Sequence, residues 1–174
     1  MKQDQMLELY KKVMPIGTHY LISHVNDLGF FDAPASIGHH GAYTGGLFEH
    51  SLQVCETLVD MTERLGLNWK RKESPYIIGM FHDLCKVDNY KRDSFGKWNY
   101  NKKSILDGHG EKSIIMLQPL IQLTGEEIAC IRWHMGAFET DSKKWEYYGR
   151  AIEQYPNVLY THTADMIVSR IKGV

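Results

Sequence analysis

Cysteine, long apolar runs and net charge are all scarce in this chain. Its three cysteines, Cys55, Cys85 and Cys130, are odd in number and nowhere spaced CxxC. That count and spacing argue against a disulfide framework. Each cysteine falls in an apolar helical stretch, so buried free thiols are expected, which suits a reducing compartment. No apolar run approaches the ~20 residues needed to span a bilayer. The opening residues, MKQDQMLELYKK, alternate charged and apolar character and lack the apolar core of a secretion signal. A cytoplasmic protein is expected. The net charge of −1, with histidines neutral, points to neither nucleic acid nor membrane. Repeats, low-complexity segments and interdomain linkers are also missing, so a single domain over residues 1–174 is expected.

Histidine, by contrast, is abundant. There are nine in 174 residues, and imidazole is the commonest transition-metal ligand. Apolar periodicity predicts a helix over 3–13 stopped near Pro15, and a second over 16–28 closed by Gly29. The second places Ile16, Tyr20, Leu21, His24 and Leu28 near one face. A Gly- and Pro-rich loop covers 29–45. The next helix, 46–65, has the stripe Leu47, His50, Val54, Leu58, Met61 and Leu65. Ser74-Pro75 reads as an N-cap followed by a first-turn proline. Residues 87–103 mix aromatics and charges about Ser94-Phe95-Gly96, the pattern of a short β-hairpin. Further helices are expected over 109–121, from a capping box at Thr124–Glu127 to Gly136, over 142–154 and over 158–171. The expected class is all-α, a helical bundle with one small hairpin.

The stretch YIIGMFHDLCK is apolar nearly all round, so it reads as a buried helix carrying His82 and Asp83 side by side. An unpaired carboxylate there is unfavourable by several kcal/mol and needs a cation, a donor network or a metal. His50 occupies a stripe position where leucine is expected. His109 opens a helix after Asp107-Gly108, His134 lies in a last helical turn, and Asp165 interrupts the final helix. Four imidazoles and two carboxylates suit Zn, Fe, Mn or Ni, with Mg also compatible. Plainer readings compete. The doublet alone also reads as a buried ion pair or a capping interaction, His109 as a helix-start residue, and Lys86 as a helix-end cation answering the macrodipole. His39 and His40 read as loop residues, His19, His24 and His162 as packing or surface, and Cys85 as core. Residues 86–103 carry six basic side chains against two acidic, interleaved with Tyr90, Phe95, Trp98 and Tyr100. A nucleotide or single strand favours such a surface, and so does a hairpin packed on a helical domain.

The order His50, His82-Asp83, Asp165, in the contexts GGLFEHS, FHDLCK and HTADM, resembles the HD-domain phosphohydrolases, whose pattern is H…HD…D. The resemblance covers roughly residues 35–170. It implies an HD-domain fold and hydrolysis of a phosphate ester with one or two divalent ions. It implies that His50, His82, Asp83 and Asp165 hold a first ion, and that Asp83 bridges to a second held by His109 and His134. Lys86, in the HDxxK position, is implied to face phosphate, so Asp83 and Lys86 are the catalytic candidates. The loop HHGAYTGGLFEH resembles the same region in a group of 3′–5′ exoribonucleases, where Tyr43 could contact substrate. A small phosphorylated substrate is expected, a nucleotide or a short nucleic-acid fragment. Monoesterase, phosphodiesterase and exonuclease activities compete within this reading. A non-catalytic metal or nucleotide sensor and a di-iron oxygenase are the rivals outside it. The number of subunits is not legible.

Overall fold

The computed structural model describes residues 2–13, 17–39, 41–136 and 142–174. Pro15, Ile16 and His40 thus lie outside the described residues. The helices are α1 (Lys2–Val13), α2 (Thr18–Asp27), α3 (Gly46–Leu65), α4 (Ser74–Phe81), α5 (Lys86–Asn89), α6 (Gly110–Leu117), α7 (Gly125–Trp133), α8 (Ser142–Gln154) and α9 (Asn157–Met166). A π-helical segment, Ile167–Lys172, continues α9. Strands β1 (Tyr90–Arg92) and β2 (Trp98–Tyr100) pair antiparallel in the register Tyr90↔Tyr100. The all-α expectation with one hairpin is met. No helix among the described residues is long and apolar enough to cross a membrane.

The centre of the fold is α4, packed chiefly along α3. Ile77, Ile78, Met80 and Phe81 are wholly buried, each contributing about 1.5–3 kcal/mol of transfer free energy. A Cβ on Gly79 would lie 2.4 Å from Cys55 Cα, so this glycine lets the α3 and α4 backbones touch. At the start of α3, a Cβ on Gly46 would lie 2.1 Å from Gly41 O. The Gly-rich loop thereby folds tightly against the turn that carries His50.

Two adjacent glutamates at the start of α7 anchor three helices. Buried Glu127 accepts both Arg71 guanidinium contacts and the Ser74 hydroxyl of α4, each at 2.8 Å. It also completes the capping box with Thr124. Glu126 accepts from Asn157 Nδ2 of α9 at 2.9 Å and from Lys70 N at 2.7 Å. From these anchored residues, Ser74, Glu126 and Asn157, eight residues lead in each case to a candidate ligand: His82, His134 and Asp165. At ~1.5 Å per residue that is about 12 Å of helix in all three.

Four expectations need correction. Helix α4 stops at Phe81, and His82 is its C-cap rather than an interior residue. Asp83, Leu84 and Cys85 form a tighter turn, closed by bonds such as Lys86 N to Asp83 O at 3.0 Å. The N-cap is Glu73, since the Ser74 hydroxyl is committed to Glu127. On α2 the buried face is Thr18, Leu21, Ile22 and Val25, while Tyr20 stacks on His24 toward solvent and Leu28 is exposed. The last helix is not uniform but widens into the π-helical segment after Met166.

Replacing Glu127 by Ala leaves Arg71, Ser74 and the α7 start without their acceptor. Urea denaturation should show a loss of about 3–5 kcal/mol. Gly149→Ala, where the added Cβ meets nothing within 4 Å in α8, should instead stabilise by about 0.5–1 kcal/mol.

Candidate metal centre

His82 and His134 are each the C-cap of a helix, and each uses Nδ1 to close it. His82 Nδ1 donates to Gly79 O at 2.9 Å, and His134 Nδ1 to Ile131 O at 2.7 Å. Both satisfy a carbonyl that a helix end otherwise leaves without an intrahelical partner. His50 Nδ1 donates to Val174 O at 2.8 Å. A carbonyl only accepts, so the hydrogen sits on Nδ1 in all three rings. In the neutral tautomer, Nε2 then carries an exposed lone pair.

These lone pairs converge. His50 Nε2 lies 3.3 Å from His82 Nε2 and 3.2 Å from Asp165 Oδ1. The His82 and His134 ring centroids are 4.9 Å apart. His134 Nε2 is buried with no hydrogen-bond partner, and Asp83 Oδ1 stands 3.5 Å away. Positive charge is favoured among these groups: burial opposes it, but the Asp165 contact raises the His50 pKa and the Asp83 contact raises that of His134, so each Nε2 is a place for a proton or for a metal ion. The donors fit a metal: His50, His82 and Asp83 lie within ligand reach of one another, as do His82, His134 and Asp165. Imidazole and carboxylate in an apolar shell suit a borderline divalent ion.

Asp83 faces two ways. Its Oδ1 looks to His134 at 3.5 Å and His109 Nδ1 at 3.8 Å, while Oδ2 looks to Lys86 Nζ at 3.9 Å and His82 Nε2 at 4.0 Å. Burial alone pushes its pKa up, but Lys86 and the contacts from His109 and His134 outweigh that and hold it well below the usual carboxylate range. Burial pushes His82 down to about 4, which keeps it unprotonated and able to ligate. Asp165 is also lowered: burial opposes ionisation, and the His50 contact overcomes it.

His109 precedes α6 as its N-cap. A Cβ on Gly110 would lie 2.5 Å from Arg132 O, so the start of α6 abuts the last turn of α7, and His109 falls within ligand reach of Asp83 and Cys85, facing the same Asp83 oxygen as His134. Cys85 Sγ lies 3.8 Å from His109 Nδ1 and 4.0 Å from Asp83 Oδ1. Burial, with Asp83 adding to it, pushes its thiol up to about 12, so it stays protonated. Cys55 and Cys130 are likewise free and buried.

A cavity of about 320 Å³ reaches this cluster, lined by Asp83, Lys86, His109 and Asp165 together with Tyr90 and Tyr100. A larger cleft of about 410 Å³ lies outside His109, among Asp107, Glu111, Arg132 and Lys144, and includes no other candidate ligand. The smaller cavity is therefore the one tied to the chemistry. Tyr43 does not line it; that ring is half exposed and its hydroxyl donates to Glu49 at 2.6 Å. Ser169 and Arg170 do line it and were not expected there, and the loop residue His39 lines it as well. The signal for Ser169 and Arg170 was their place four and five residues after Asp165. His162, expected in packing or at the surface, holds the His134 carbonyl through Nδ1 at 2.7 Å.

A family model described as HD domain matches residues 47–170. A dihydroneopterin 2′,3′-cyclic phosphate phosphodiesterase from Methanocaldococcus jannaschii is 34% identical over 110 residues, 58% of this chain and 43% of that protein. The match thus spans less than half of that relative's length. No solved structure matches the chain.

Elemental analysis of protein purified without added metal should find a bound divalent ion. Asp83→Ala should reduce it to background, because the two Asp83 oxygens serve both halves of the cluster. His109→Ala should remove only part of it. Full metal content in folded Asp83→Ala would refute the assignment of this cluster as a metal centre.

Proposed function

The chain belongs to the HD-domain family, and on that premise we propose that it is a metal-dependent phosphohydrolase acting on a small phosphate ester. The observation that carries this reading is the convergence of three Nε2 lone pairs and two carboxylates at the floor of a cavity walled by Lys86. His50, His82, Asp83 and Asp165 hold one ion, and His109 and His134, with Asp83 shared, hold a second. An ion in such a site supplies Lewis acidity toward a phosphoryl oxygen and lowers the pKa of water.

The chain's own groups do the rest. Asp83 stays ionised despite its burial and presents one oxygen to each side of the cluster. Lys86 is almost wholly buried, and its charge is kept by Asp83 although burial opposes it. From the cavity wall it offsets negative charge developing on the phosphoryl group. Arg170 adds a second cation to the same wall. The buried histidines keep their orientation through the Nδ1 bonds, so little reorganisation accompanies the reaction.

The cavity and the relative together support a substrate class. About 320 Å³ accommodates a mononucleotide-sized ligand. The matched relative acts on a 2′,3′-cyclic phosphate, which supports a phosphodiester, with nucleoside cyclic phosphates as the natural first substrates.

Purified protein should open a nucleoside 2′,3′-cyclic phosphate to a monophosphate in a metal-dependent reaction. A nucleoside monophosphate and a short oligonucleotide, assayed beside it, separate nucleotidase and exonuclease activity. Asp83→Ala should abolish turnover. Lys86→Ala should lower kcat roughly a hundred- to a thousandfold, with metal content retained. Binding without turnover across this panel would overturn the enzymatic reading in favour of a sensor.

A further inference from the structure

Tyr90 and Tyr100 face each other across the hairpin, in register, with ring centroids 5.6 Å apart and planes at 50°. Their exposures differ sharply. Tyr90 is 6% exposed, whereas Tyr100 is 68% exposed although it lines the same cavity. Both rings also border a second cavity of about 260 Å³, alongside Asn101 and Ser104. The tyrosine pair, with His109, therefore borders both the cavity that reaches the cluster and this recess. Lys86 Nζ, which sits beside Asp83, lies 5.8 Å from the Tyr90 centroid.

The hairpin is held rigidly. Arg92 lies over the Trp98 ring at 4.8 Å and donates to Thr44 Oγ1 at 2.8 Å, which ties the strands to the Gly-rich loop. At the other end, buried Lys112 donates to Asn89 Oδ1, Ser104 Oγ and Asp88 Oδ2 at 2.6–2.7 Å. Asn101 Nδ2 donates to Asp88 O at 2.8 Å. Both feet of the hairpin are thus fixed to α6. An aromatic ring kept two-thirds exposed on a fixed support is pre-organised to receive another flat ring.

We propose that Tyr100, backed by Tyr90, is the stacking platform for the heterocyclic ring of the substrate and sets the preference for substrates that carry one. The ligand class is a flat heteroaromatic group joined through a sugar or polyol to a phosphate. A ring laid on the exposed side of Tyr100 lies in the cavity that Lys86 also lines, so its phosphate extends toward Lys86. The phosphate end rests on the phosphohydrolase reading above; the platform itself rests on the hairpin.

Equilibrium binding of adenosine 5′-monophosphate and of ribose 5-phosphate to the metal-loaded protein tests this directly. The two ligands differ only in the base. Wild-type protein should bind the adenosine compound roughly ten- to a hundredfold more tightly, the usual worth of one stacked base. Tyr100→Ala should bring that ratio close to one, and Tyr100→Phe should keep it. A wild-type ratio near one, or a full ratio surviving in folded Tyr100→Ala, would overturn the platform. Ribose 5-phosphate reads the phosphate end separately. Loss of its binding counts against the phosphohydrolase reading, whereas loss of the base preference alone counts against the platform.

Discussion

Two neighbouring glutamates at the start of α7 determine where the chemistry happens. Glu126 and Glu127 are almost fully buried, and every acceptor oxygen they offer is engaged by another element. Buried carboxylates are tolerated only with such partners, so the partners are brought to them: Ser74 and Arg71 to one, Asn157 and Lys70 to the other. The starts of α4, α7 and α9 are thereby gathered at a single point. The same eight-residue interval then separates each start from a side chain of the cluster. Helices of equal rise from a shared origin deliver their ends side by side, which is why His82, His134 and Asp165 meet. The glutamates touch no candidate ligand, yet they fix the distances among them.

The far ends of these helices solve a second problem. A helix terminus leaves carbonyls without intrahelical partners. His82 and His134 supply a donor to such carbonyls with Nδ1 and turn Nε2 outward in the same act. One side chain thus terminates the helix, sets its own tautomer and aims a lone pair. The consequence is a cluster of Nε2 atoms and carboxylates that draws positive charge, as the raised pKa values of His50 beside Asp165 and His134 beside Asp83 indicate. A divalent ion supplies that charge, and its binding stabilises the fold by an amount that grows with the logarithm of its concentration above Kd.

How much of this was legible in the sequence depended on whether the signal was local. His50 was legible because it breaks an apolar stripe, and Asp83 because a carboxylate in an apolar run requires a partner. The capping box at Thr124–Glu127 was legible and is present. What Glu127 does beyond that box was not, since its other partners stand 53 and 56 residues away. Ser74 misled for the same reason: its local context reads as a cap, and its hydroxyl is taken by a distant helix. His109 was supported by resemblance more than by pattern, and its position depends on the closeness that Gly110 permits. Arg170 and Ser169 escaped notice because a regular helix was expected where the backbone widens into π-helix.

The electrostatics of the site also assign different duties to its two sides. Helices α4 and α7 both end at the cluster, so the negative ends of their dipoles point into it. Together with Asp83 and Asp165 they make the floor attractive to cations and repellent to a phosphate. An anionic substrate therefore cannot be held by the floor alone. Positive charge must come from bound metal and from the wall of the cavity, where Lys86 stands beside Asp83 and Arg170 also lies. That wall is built from different material: the turn after Asp83, the hairpin and the π-helical segment. Metal chemistry resides in a helical cage whose spacing is tightly determined, and substrate choice in the short elements laid over it. Changes at the exposed face of the hairpin can then alter what is bound while its ties, to α6 through Lys112 and to the Gly-rich loop through Arg92 and Thr44, stay in place.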